Sequence, residues 1–239
     1  MASNERAGRP VRHPGHLRLA FTRAVHDWYY GLIPFAVMNF LWLISVLTII
    51  GGPPATAAML AIARDAIVLE GGEPRRFFHY MSQYFRRSWS LGLVSFLGTA
   101  ILVTDINFYP SVIRDPLLAN VGLLFLIYLL VVWLEFLLIA WPVLVNHPDM
   151  PLRDVMRNAV IFALRHPWAN LGLALLVIFL YVCSVFLSVL IALALAAFVS
   201  LLVQHYLYLW APTLANFRPF PGAGASAIET GEQPLPAPL

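Results

Sequence analysis

Residues 31–50 form a run of 20 without a charged side chain. As a helix such a run is about 30 Å long, the thickness of a bilayer's hydrocarbon core. Comparable runs follow at 90–109, where only Asp105 near the far end is charged, at 117–145, and over about 40 residues at 171–210. A single helix for the last would be about 60 Å, twice a bilayer, so it reads as two spans joined near 186–190. Hydrophobic residues make up 60% of the chain, charged ones 11%, and the mean hydropathy is +0.77, values that exclude an ordinary soluble domain. The fold class is all-α, a polytopic membrane helical bundle.

Between the first two long runs, "GGPP" at 51–54 must interrupt a helix, because proline lacks the backbone donor and glycine the stiffness. A helix restarts over 55–69, with Pro54 suited to its first turn and Gly71–Gly72 ending it. It would reach only about 24 Å and carries Arg64 and Asp65. It is either a short return crossing or a re-entrant piece buried against other helices.

Three amphipathic segments lie outside these runs. Apolar residues fall at helical spacing in 16–29 (Leu17, Phe21, Ala24, Val25, Trp28), in 75–89 (Phe77, Met81, Tyr84, Phe85, Trp89) and in 151–166 (Leu152, Val155, Met156, Ala159, Val160, Ala163). They are either solvent-facing loop helices or helices lying in the membrane interface, and basic faces with aromatic ends favour the second. Each ends at a tryptophan followed by a glycine at the start of a span: Trp28 and Gly31, Trp89 and Gly92, Trp168 and Gly172. Tryptophan prefers headgroup depth, and glycine lets helices pack closely. The chain therefore reads as three pseudo-repeats of interfacial helix plus membrane hairpin, giving six crossings, the second short. Expected anchors are Trp28, Trp89 and Trp168 with Arg86, Arg87 and Arg165.

All fifteen basic residues are arginine, and their placement tests this topology. Six crossings put thirteen of them on the side of the termini, Arg114 alone on the other, and Arg64 within the membrane. The positive-inside rule makes the rich side cytoplasmic, and a five-span alternative would put Arg75, Arg76, Arg86 and Arg87 on the wrong face. The return crossing is therefore preferred. Residues 1–15 and 211–239 are expected to be disordered tails around one membrane domain, 16–210. No short apolar core with a small-residue cleavage site precedes residue 31, so no cleaved signal peptide is expected.

The order "NFLWLISVLTIIGGPPATAAMLAIARD", "FFHYMSQYFRRSWSLGL", "PLRDVMRNAVIFALRHPWANLGL" resembles the YesL-like proteins, a bacterial family of integral membrane proteins with a domain of unknown function. The likeness runs over roughly 17–209. It implies a context beside carbohydrate uptake and polysaccharide utilisation, often with sugar ABC transporter components, and it supplies no catalytic residues.

Polar groups inside apolar runs are the remaining candidates. Glu135 lies well inside its span, where an ionised carboxylate is costly unless paired or wet. Arg64 falls at a comparable depth of the return helix, so an Arg64–Glu135 contact is expected, with a structural carboxyl and an interface-seeking arginine as the plainer reading. Asp65 would point to another side of its helix. Asn39, Gln204 and His205 could line a solute path or act as hydrogen-bonding glue between helices, and glue is preferred. Cys183 is the single cysteine, so no intrachain disulfide can form, and no histidine spacing suits a metal. No nucleotide-binding or hydrolase motif occurs, and a net charge of +3 argues for no nucleic-acid partner. No cofactor and no enzyme activity are expected. The expected function is an accessory or regulatory component of a carbohydrate-uptake assembly, with the bilayer, sugar ABC transporter components or a second copy as partners. The alternative is a small-solute permease or channel with a polar path around Glu135.

Overall fold

The structure is a computed structural model, and it describes residues 16–69, 73–113, 115–186 and 189–211. The expected tails and Arg114 lie outside these residues. The elements are α1 (His16–Tyr30), α2 (Leu32–Leu47), α3 (Gly52–Leu69), a 3-10 turn at Pro74–Arg76, α4 (Phe77–Val112), α5 (Pro116–Asn146), α6 (Leu152–Arg165), α7 (Pro167–Phe186) and α8 (Val189–Trp210). No strand occurs among the described residues, as the all-α reading requires. The expected join near 186–190 falls between α7 and α8, and 187–188 lie outside the described residues.

Among the described residues, two helical stretches, Pro74–Val112 and Pro116–Asn146, are each long and apolar enough to cross a membrane, and α1–α2 and α6–α7 raise the number to four if each bent pair is one span. This is a membrane protein with a helical bundle. Its centre is α3, where Ala55, Ala57, Ala58, Ala61 and Ala63 are fully buried or nearly so. Their small side chains let α2, α4, α5 and α8 approach the α3 backbone closely.

The three joints are not equivalent. α1 meets α2 at 94° across Gly31, and α6 meets α7 at 101° across His166 and Pro167. At the expected third joint, α4 runs unbroken through Trp89 for 36 residues. No glycine or proline stands between Arg87 and Leu91 to end the helix. Ser88 Oγ donates to Phe85 O at 3.0 Å and Ser90 Oγ to Arg86 O at 3.1 Å, so both hydroxyls turn back onto the helix.

The unbroken helix also overturns one pair of expectations. Six crossings place Trp89 at the arginine-rich face and the 51–54 turn at the opposite one, yet Trp89 Nε1 donates to Ile50 O at 3.0 Å. A Cβ added to Gly92 would lie 2.9 Å from Pro53 Cγ, so the glycine does serve close packing, but against the turn. Tyr80, three turns earlier, meets Asp65 at the other end of α3. α3 therefore lies antiparallel along only the first half of α4. Beyond Gly92, α4 continues for about 30 Å, packed on α5 through contacts such as Trp133 Nε1 to Thr99 Oγ1 at 3.1 Å. Two groups joined by one hydrogen bond share one depth and cannot lie on opposite sides of a hydrocarbon layer about 30 Å thick. An 18-residue helix reaches about 27 Å, too short to match the α4–α5 hairpin.

The turn that reverses α2 into α3 holds Ile49 at φ 61°, a left-handed conformation that a β-branched residue rarely adopts. Thr48 Oγ1 donates to Ser45 O at 2.6 Å and accepts from Gly51 N at 3.1 Å, which fixes the turn around it.

Candidate functional site

Helix α5 ends at Asn146, so the Val145 carbonyl is one of the terminal acceptors that no helical N–H can reach. Arg64 Nη1 donates to it at 3.1 Å and Tyr84 Oη at 3.0 Å, using both lone pairs. The guanidinium also meets the negative end of the α5 dipole. Arg64 Nε and Nη2 donate to Asp65 Oδ1 at 3.2 and 2.9 Å, and the Tyr80 hydroxyl donates to Asp65 Oδ2. A nearly inaccessible arginine, 4% exposed, is thus neutralised by its sequence neighbour and by a helix terminus. Asp65, expected on another side of the helix, belongs to the same cluster. One turn beyond Tyr84, the half-buried Arg87 donates through Nη2 to Met150 O, tying α4 to the loop before α6.

The expected Arg64–Glu135 contact is not made. Glu135 is buried on α5 with no hydrogen bond or ion pair to another described residue. The reason is geometric: Val145 lies ten residues beyond Glu135, about 15 Å farther along the same helix.

The other intramembrane candidates bond helix to helix. Gln204 Nε2 donates to Leu60 O at 3.1 Å and to Asn146 Oδ1 at 3.2 Å, while Asn146 Nδ2 returns a bond to Gln204 Oε1 at 3.1 Å. This reciprocal amide pair joins α3, α5 and α8. Asn39 Oδ1 accepts from the Ala197 backbone N–H at 2.8 Å, linking α2 to α8. His205 Nε2 donates to Asp27 Oδ2 at 2.7 Å, linking α8 to α1. Near the bend before α7, Tyr206 Oη donates to Asn170 Oδ1 at 2.6 Å and Asn170 Nδ2 to Ala163 O at 3.3 Å. Asn39 Nδ2 and His205 Nδ1 are buried without a partner among the described residues.

The expected anchors divide. Trp168 is 84% exposed, and Arg86 and Arg165 are exposed. Trp28 instead turns inward, edge-on to Phe198 at 6.4 Å, and its indole Nε1 is buried without a partner among the described residues. Trp89 is held by the α2–α3 turn.

A cavity of about 330 Å³ lies between α2, α3, α5, α7 and α8. Trp42, Met59, Trp141, Val177, Tyr181 and Ser200 mark its walls. Of the sequence-selected polar residues, none lines it. The polar partners that sequence reasoning missed are Asp27, Tyr80, Tyr84, Asn146, Asn170 and Tyr206. Asn146 and Asn170 carried a signal, as amides bordering apolar runs, whereas the Val145 carbonyl had none.

Fold and site together define a polytopic membrane protein whose helices are fastened by buried polar contacts. Residues 35–106 match the family model described as a protein of unknown function, DUF624, which is the YesL family that the sequence resembles. The match spans most of α2, all of α3 and most of α4, and so contains Arg64, Asp65, Tyr80 and Tyr84. Neither the curated proteins nor the solved structures contain a significant match.

Proposed function

We infer that the chain is an accessory or regulatory component of a bacterial carbohydrate-uptake assembly of the ABC type, or of a polysaccharide-utilisation system, in the cytoplasmic membrane. The carbohydrate context rests on the resemblance to YesL-like proteins. The accessory role rests chiefly on the use of the intramembrane polar groups. Arg64, Asp65, Asn39, Gln204 and His205 all bond to neighbouring helices, and the cavity among those helices has apolar walls, which suits a framework better than a sugar path.

The docking surface would be α1 and α6, set nearly at right angles to the helices that follow them. α6 buries Val155, Ala159 and Phe162 and exposes Arg153, Arg157, Ile161 and Leu164, with Trp168 beside them. Such a mixed face suits a partner protein or anionic headgroups. In this reading the arginine-rich side, with both termini, is cytoplasmic. Mild-detergent purification after crosslinking in native membranes should recover sugar-transport subunits, with loss of recovery in Arg153→Glu/Arg157→Glu. Repeated isolation of a chain crosslinked to nothing would remove the reading. The alternative, a path around Glu135, predicts sugar flux into liposomes that Glu135→Ala abolishes.

A further inference from the structure

The 330 Å³ cavity is large enough for a ligand, holding roughly ten methylene-sized groups, and its lining is almost wholly apolar. Its opening is lateral. Three residues on its wall, Leu134 of α5 and Ile178 and Tyr181 of α7, are 38%, 47% and 46% exposed, so the cavity reaches the surface between α5 and α7. The surface around that opening is itself apolar, with Leu175, Phe179 and Val182 on α7 exposed. Leu60, one of the cavity's lining residues, accepts through its carbonyl from the Gln204–Asn146 amide pair. One wall group is left over: Ser200 is 8% exposed, lines the cavity and has no hydrogen-bond partner among the described residues.

We propose that this cavity holds one acyl chain of a membrane phospholipid, which enters between α5 and α7. Several observations select that occupant. Apolar walls offer a sugar too few partners for its hydroxyls. A sideways opening onto an apolar surface faces hydrocarbon, the most abundant component at that depth. A volume of about 330 Å³ suits a single chain better than a helix, which is about 10 Å across with its side chains. Trp42, held by its Nε1 bond to Thr56 Oγ1 at 3.2 Å, and Trp141 give the chain rigid flat walls.

The test is photolabelling of the full chain in phospholipid nanodiscs doped with a phospholipid that carries a mid-chain diazirine. Peptide mass spectrometry should find adducts at the buried Met59 and Ser200 as well as at the outward Phe179, because the carbene inserts readily into the Ser200 O–H. Ala196→Phe, which fills the cavity from α8, should lower Met59 and Ser200 labelling by about tenfold and leave Phe179 unchanged, as steric exclusion requires. Ala174→Leu does the same from α7 and serves if the first variant loses helicity by circular dichroism. Wild-type adducts confined to Phe179 and other outward positions would overturn the proposal, and so would Met59 and Ser200 adducts that persist in a folded, filled variant.

Discussion

The joint at Trp89 and the joints at Gly31 and Pro167 begin from the same pattern, an arginine- and aromatic-rich helix, a tryptophan and a glycine-containing apolar run. Two of them bend by about a right angle and one does not bend. The bent joints have a helix breaker at the corner, and each is held from outside by a bond from α8, His205 to Asp27 in one and Tyr206 to Asn170 in the other. The straight joint lacks a breaker and is held along its length by α3 and the turn before it, through Tyr80, Trp89 and Gly92, with Tyr84 bonded to the end of α5. A repeated composition does not repeat a geometry unless the corner residue repeats too.

Five substitutions test that contrast. The largest effect is expected at the straight unit, where Asp65→Ala leaves Arg64 buried without its carboxylate and should cost about 3–5 kcal/mol in detergent unfolding. Asp27→Ala at the bent unit, half-exposed, should cost far less; equal losses would abolish the distinction. Next, Ser90→Pro places a breaker in α4 and should cost about 3 kcal/mol or more, with spin-label distances between 80 and 105 shortening as the helix kinks. Tyr206→Phe deprives Asn170 of a donor and should cost about 1–3 kcal/mol, measured as a lower melting temperature. The smallest effect is a gain: Ile49→Gly relieves a left-handed β-branched residue and should raise stability by about 1 kcal/mol, and a loss would show that the turn needs the isoleucine side chain.

Much of the bundle was legible in the sequence because apolar length and breakers are local properties. The ends of α6 follow from Pro151, Asp154, Arg165 and Pro167, and those of α3 from Pro53, Pro54 and the glycines after Leu69. Gln204, Asn39 and His205 stand out as polar groups inside apolar runs, and each bonds a neighbouring helix. The arrangement along α4 was not legible, since its depth rests on Trp89 and the placement of the arginines and nothing local says which element packs beside it. The partner of Arg64 was hidden for a different reason. A charge was sought for a charge, and Glu135 was the nearest candidate by depth, but the acceptor is a backbone carbonyl at a helix terminus, which any residue type could supply.

The bond from Arg64 to Val145 O spans 81 positions of the chain. A ribosome adding about 5–20 residues per second needs roughly 4–16 s to make the acceptor after the arginine has emerged. During that interval α3 must exist beside lipid or the insertion machinery with its cation uncapped by α5. Asp65 is synthesised next in line and is available at once, so the adjacent pair acts as a temporary counter-ion for a segment whose final partner has yet to be made.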